Sequence, residues 1–165
     1  MPTQTVQATR NTTPNPDTGG NAVTGSANTG HAATTCSITG VGLDNKTDKW
    51  DLYPNINGVI SAINVKFDWV RNGALGAGTS NGWSVIAGTL GDTETAISES
   101  NVTGASSGSV NFALSGSRIK NPAALFVADS IAATGALGQT ATLTITISNL
   151  ALQVTYSDAQ LLVMW

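Results

Sequence analysis

The run Gly104-Ala105-Ser106-Ser107-Gly108 has the spacing of a G-x-S-x-G nucleophile elbow. In that motif a sharp strand-to-helix turn exposes a serine Oγ, and an acid and a histidine supplied later in the chain activate it. No helical pattern follows the run here, and the single histidine, His31, precedes it. The run therefore reads as a Ser/Gly turn. A sole histidine, flanked by Gly30 and Ala32, also excludes a multi-histidine metal site.

Asp44, Asp48 and Asp51 suggest calcium, since clustered loop carboxylates bind it. Their spacing is not that of an EF-hand loop, and the interleaved Lys46 and Lys49 would repel a cation. A turn held by local side-chain hydrogen bonds is the better expectation. The glycines at 73, 76, 78 and 82 lack the Lys-Ser or Lys-Thr pair and the helix start of a phosphate loop, and read as a hairpin loop. Cys36 is the only cysteine, so no disulfide can form within the chain. With no neighbouring base or cationic cluster, it reads as a small buried residue rather than a reactive thiol. Trp50, Tyr53 and Trp83 suggest a sugar-stacking platform. At 5% aromatic residues, however, the chain needs its rings for the core, and Trp69 ends an apolar strand face. Thr142, Thr144 and Thr146 form a short ladder, too few for an ice-binding array and ordinary for an outward strand face. The expected inventory is thus no catalytic residue, no cofactor-binding residue, no metal ligand and no cofactor. The chain is not expected to be an enzyme.

Whatever these residues do, they need a scaffold. The 165 residues suffice for one domain plus a tail, and 41% are hydrophobic. Charge is scarce: 10% of residues, against about 25% in an average soluble domain. The polar surface must then be Thr, Ser, Asn and Gly, which suits close packing against neighbours. With a net charge of −3 and seven scattered basic residues, no phosphate-binding patch forms, so nucleic acid is not an expected partner. No run of 18 apolar residues occurs, and the first ten residues hold no apolar stretch of the secretory-signal kind, so neither a membrane span nor a signal peptide is expected. The Asn-x-Thr triplets at Asn11, Asn45 and Asn101 follow from the abundance of both residues.

Residues 1–34 stand apart. They hold Pro14, Pro16, Gly19, Gly20, Gly25 and Gly30 among Thr, Asn and Ala, and only Val6 and Val23 are large aliphatics after Met1. Such a stretch buries too little surface to fold alone. It reads as an extended low-complexity arm, ordered only where its own body or a neighbouring subunit holds it. Residues 35–165 read as the folded domain. From 59 to 69 the odd positions are Val59, Ser61, Ile63, Val65, Phe67 and Trp69, a period of two with one buried face. A further strand is expected from Trp83 to Leu90, and Val110, Phe112 and Leu114 alternate again. Leu125, Phe126 and Val127 suit a strand buried on both faces. From 140 to 156 the apolar parity changes: Leu143, Ile145 and Ile147 are odd, Leu150, Leu152, Val154 and Tyr156 even. That shift demands a bulge at Ser148-Asn149, and a strand that bends there can serve two sheets as corner strands do. Loops are expected over 72–82, 91–108 and 132–139. No helical stripe is present. The fold class is therefore all-β, an antiparallel β-sandwich or jelly roll with an extended N-terminal arm. The apolar run 161–165 is either a last core strand or a plug into a neighbour.

The combination resembles virion proteins of tailed bacteriophages. The 57–156 stretch is similar to the small jelly-roll proteins that decorate or cement phage heads, a likeness carried by the 59–69 pattern and the 140–156 strand. The resemblance implies a structural role, with subunits, often trimers, seated on a capsid lattice that they reinforce. It implies the major capsid protein or other virion subunits as partners, and a virion location after assembly in the host cytoplasm. A carbohydrate-binding or host-adhesive module of a tail fibre or spike is the alternative. A pilus-like or surface-layer subunit, in which an arm completes a neighbour's sheet, ranks third.

Overall fold

The computed structural model describes residues 3–7, 9–10, 34–51, 58–116, 119 and 125–158. Ten strands account for nearly all of them: β1 (Thr3–Gln7), β2 (Thr9–Arg10), β3 (Thr34–Thr39), β4 (Gly42–Asp51), β5 (Gly58–Leu75), β6 (Ser80–Thr89), β7 (Asp92–Ser100), β8 (Gly104–Ala113), β9 (Phe126–Gly135) and β10 (Thr140–Asp158). No α-helix occurs among the described residues.

The pairings nest. β3 pairs with β10, β4 with β9, β5 with β8 and β6 with β7, all antiparallel. The chain is thus one long antiparallel ribbon whose two arms run side by side. The β5–β10 and β6–β9 pairings then roll the ribbon into two sheets. The first has the order β3-β10-β5-β8 and the second β4-β9-β6-β7. This is the two-sheet arrangement of an eight-stranded jelly roll. β1 extends the first sheet beside the far half of β10, and β2 makes two pairs with the end of β4. Both short strands lie within the 1–34 stretch and pair with the chain's own body. His31 and the 161–165 run lie outside the described residues.

The core fills the space between the sheets. β5 contributes Ile63, Val65, Phe67 and Trp69, and β10 contributes Leu143, Ile145, Ile147, Leu150, Leu152 and Val154. The second sheet answers with Trp50, Trp83, Val85, Val127 and Ile131. The expected bulge is present. Ser148 stands opposite Asp68 and Ala151 opposite Lys66, so Asn149 and Leu150 share one position across from Phe67. Asn149 takes a φ of 54°, the left-handed region that Asn tolerates better than most residues. The bend does not carry β10 into a second sheet. Its two halves instead take different edge partners, β3 and β1.

Three expectations need correction. Val59 is 70% exposed, because Ser61 is an extra residue against Thr155 and Tyr156. That second bulge turns Ile60, rather than Val59, toward the core. The loops are also shorter than composition suggests: 91–108 contains all of β7 and the start of β8. Those segments, DTETAISES and GASSGSVNFA, lack a continuous apolar face because each is an outermost strand with little core to cover. Finally, Asp44, Asp48 and Asp51 lie along β4, not in a turn. A strand rise of about 3.3 Å per residue spaces neighbouring members of this trio roughly 10–13 Å apart, too far to share one cation.

Trp69 stands opposite Gly108, and a Cβ built there would lie 2.8 Å from Trp69 Cζ2. The indole also packs against Trp83, at a centroid distance of 5.4 Å, so it can shift only by disturbing a second buried ring. Gly108→Val should cost about 1–3 kcal/mol through overpacking, read as a lower urea midpoint. Ser107→Ala beside it, on the exposed face, should stay within about 0.5 kcal/mol of the parent.

Candidate functional site

Two surfaces stand out. One is the end of the sandwich where the β3–β4, β5–β6 and β9–β10 turns meet. Gly40 N–H donates to Gln139 O at 3.1 Å, Gly76 N–H to Thr140 O at 2.9 Å and Ala77 N–H to Gln139 Oε1 at 3.1 Å. These bonds tie the three turns into one rigid end. Their tips are aliphatic: Val41 is 83% exposed, Leu137 86% and Leu43, at the start of β4, 62%. Residues 40–42, 76–79 and 136–139 carry no charge. The turn at 101–103 is anchored through buried Asn81, whose Nδ2 donates to Val102 O at 3.0 Å and Thr142 O at 2.8 Å. Its Oδ1 accepts from Val102 N–H at 2.6 Å. Asn81 thereby satisfies its amide while linking β6 to β10 across the two sheets.

The other surface is the outer face of the first sheet. Neighbouring outward positions on β10, β5 and β8 read Thr142, Thr144, Thr146 and Ser148, then Asn64, Lys66, Asp68, Val70 and Asn72, then Ser107, Ser109 and Asn111. The threonine ladder is one column of a broad Thr/Ser/Asn field in which Lys66 and Asp68 are the charges among these positions. A shallow groove of about 450 Å³ crosses it, lined by Lys66, Asp68, Ser109, Asn111 and Asn149 among others. Asp68 Oδ1 accepts from Ser109 Oγ at 2.5 Å and Oδ2 from Asn149 Nδ2 at 2.6 Å. The Asn149 bond, then the Ser109 bond, holds the Asp68 carboxyl below its ordinary value of 3.8. Hydrogen bonds to the charged form make this carboxylate a weaker base. Its geometry is that of a clamp joining β5, β8 and the β10 bulge.

The residues singled out for chemistry are not brought together. Gly104 to Gly108 form the first half of β8 rather than an elbow. Gly73 lies within β5, where a Cβ would sit 2.5 Å from Val102 O, so it permits close approach of the 101–103 turn. Gly76 and Gly78 make the β5–β6 turn. Trp50, Trp69 and Trp83 are buried, and Trp83 Nε1 donates to Glu99 Oε2 at 2.8 Å. Arg71 Nε donates to the same Glu99 oxygen at 2.8 Å, and its Nη1 reaches Gly104 O at 3.1 Å. These indoles are core and buttress, not a sugar platform; Tyr53 lies outside the described residues. Sequence reasoning passed over Asp129, which is buried on β9 between Val127 and Ile131. A carboxylate on the inner parity of a strand was its only sequence signal.

No protein-family model matches the chain, and no curated protein does. Among solved structures, a chain described as "Structure of infectious bursal disease virus Gx strain" is similar over 79% of this chain and 34% of its own length. The identity is 10% and the TM-score 0.32. This chain therefore spans about a third of that one. The sandwich assignment rests on the chain's own pairings.

Because Asp68 is more acidic folded than unfolded, its bonds stabilise the fold above pH 3.8 and lose that effect as pH falls through the lowered folded value. Asp68→Asn should lower the urea midpoint at neutral pH. The gap between parent and variant should close on acidification below the ordinary carboxylate range, as measured by denaturation series across pH.

Proposed function

We propose that this chain is a non-enzymatic structural subunit of a virion, and more narrowly one that decorates or cements a bacteriophage capsid. The observation that carries the reading is the hydrogen-bonded turn end bearing Val41, Leu43 and Leu137, whose three turns carry no charge. Contiguous exposed apolar groups mark interaction sites when they lie on a preorganised surface. The hydrogen bonds between the turns mean that binding there costs little ordering. The broad Thr/Ser/Asn face adds a second, mostly uncharged surface, with Lys66 and the hydrogen-bonded Asp68 as charges within it. Viral capsid domains are among the proteins built as jelly rolls, as are lectins and cupins, so the fold permits the role by analogy without assigning it.

In this reading the partners are the major capsid protein or other virion subunits, together with copies of the chain itself. Its place is the virion, after assembly in the host cytoplasm. The carbohydrate-binding alternative loses support, because the indoles it would need at Trp50 and Trp83 face the core.

The test is quantitative mass spectrometry of gradient-purified particles from a culture producing this chain. The expected result is a fixed copy number per particle that survives washing. Val41→Asp combined with Leu137→Asp should leave the melting temperature near that of the parent, since both sites are exposed, yet deplete the chain from particles. Particles that lack the parent chain would overturn the proposal.

A further inference from the structure

The two sheets guard their edges differently. At the second sheet's edges, β4 carries Asp44, Lys46, Asp48, Lys49 and Asp51, and β7 carries Asp92, Glu94 and Glu99. β7 also has a bulge at Ala96, an extra residue against Val85 and Ile86. Edge charges and bulges are devices that keep a foreign strand from adding to a sheet. β8, an outermost strand of the first sheet, has neither. Its ten residues contain no charge and no proline, and its register with β5 runs from Gly104 to Ala113 without a shift.

Among the described residues, the outer side of β8 is free to pair. Leu114 N–H donates to Ile63 O at 2.9 Å, so alternation along an antiparallel ladder commits the even-numbered residues to β5. The peptide groups of Ala105, Ser107, Ser109, Asn111 and Ala113 then point away from it. Among the described residues no strand takes that side. The inner-face residues at this rim are also incompletely covered: Val110 and Phe112 are half-buried, whereas Val65 and Phe67 on β5 are buried.

We infer that β8 pairs antiparallel with β8 of a second copy about a two-fold axis, making one sheet continuous across two subunits. Charge selects this occupant. Copies of a chain with net charge −3 repel one another, and β8 offers a contact line along which no charge meets its like. A two-fold contact uses the same patch on both partners and closes at two. With Ser109 opposite its counterpart, Val110 faces Gly108 and Phe112 faces Ser106, so each large residue meets a small one and its exposed flank is covered. This pairing does not depend on the virion role, since a strand edge pairs equally in free solution.

Sedimentation velocity of the full chain over a micromolar concentration series tests it. Ser107→Pro removes an outward N–H while sparing the ladder to β5, and Ser107→Lys adds an edge charge without touching the backbone. The parent should sediment as a dimer. Both variants should dimerise about tenfold more weakly or worse, with unchanged circular dichroism, while Ser98→Lys on β7 should have no effect. If the proline variant fails to fold, the lysine variant decides. A parent that stays monomeric, a lysine variant that stays dimeric, or a series of larger species would each overturn the inference.

Discussion

The pairing of β5 with β10 is the constraint on which the molecule depends. These two strands of 18 and 19 residues lie side by side in the first sheet, and between them they supply most of its buried face. Strands this long accumulate twist and cannot keep one straight register over a curved core. Two bulges resolve the conflict. One at Asn149 and Leu150 resets the parity of β10; the other at Ser61 resets that of β5. Without the first, every apolar residue from Leu150 onward would turn to solvent, since a one-residue slip exchanges the faces of a strand. Asp68 sits at this weak point and binds both Asn149 on the bulge and Ser109 on the next strand.

Around that pair, buried Asn81 and the part-buried Arg71–Glu99 ion pair join the two sheets. Asn81 ties β6 to β10 and to the 101–103 turn. Glu99 on β7 accepts from Arg71 on β5 and from Trp83 on β6, beneath the packed indoles of Trp69 and Trp83. Buried polar groups are tolerable when satisfied, and here each bond spans elements that hydrophobic contact alone would leave free to slide. With the indoles buried, much of the outside is left to Thr, Ser, Asn and aliphatic turn tips. The low charge noted in the sequence therefore has a spatial meaning. It leaves the three tied turns without charge and the first sheet's outer face with few charges, Lys66 and Asp68 on β5 among them, while β4 and β7 of the second sheet carry most of the other charged strand residues.

Legibility followed burial. The strands through Ile63 to Trp69 and Leu143 to Val154, and the bulge between Ile147 and Leu150, could be read from residue types because one face of each is buried along its length. β4 and β7 could not. As outer strands they carry Asp, Glu, Lys and Thr in place of an apolar face, and so resemble turns in composition. The candidate contact end was invisible for a different reason. Val41, Ala77 and Leu137 are separated by tens of residues, and each alone is an unremarked small or aliphatic residue in a glycine turn.

By itself, the sequence determined that the chain is all-β, that its core is aliphatic with few rings, that β10 must bulge near Ser148, and that its surface is poor in charge. Those properties depend on alternation and composition, which are local along a strand. Only the tertiary structure decided the nesting of β3 with β10, β4 with β9, β5 with β8 and β6 with β7, and hence which turns meet at one end and which strands lie outermost. Strand pairing is a choice among distant partners with similar faces. Backbone hydrogen bonds carry no residue identity, and the choice is settled by how the whole set of faces closes on one core.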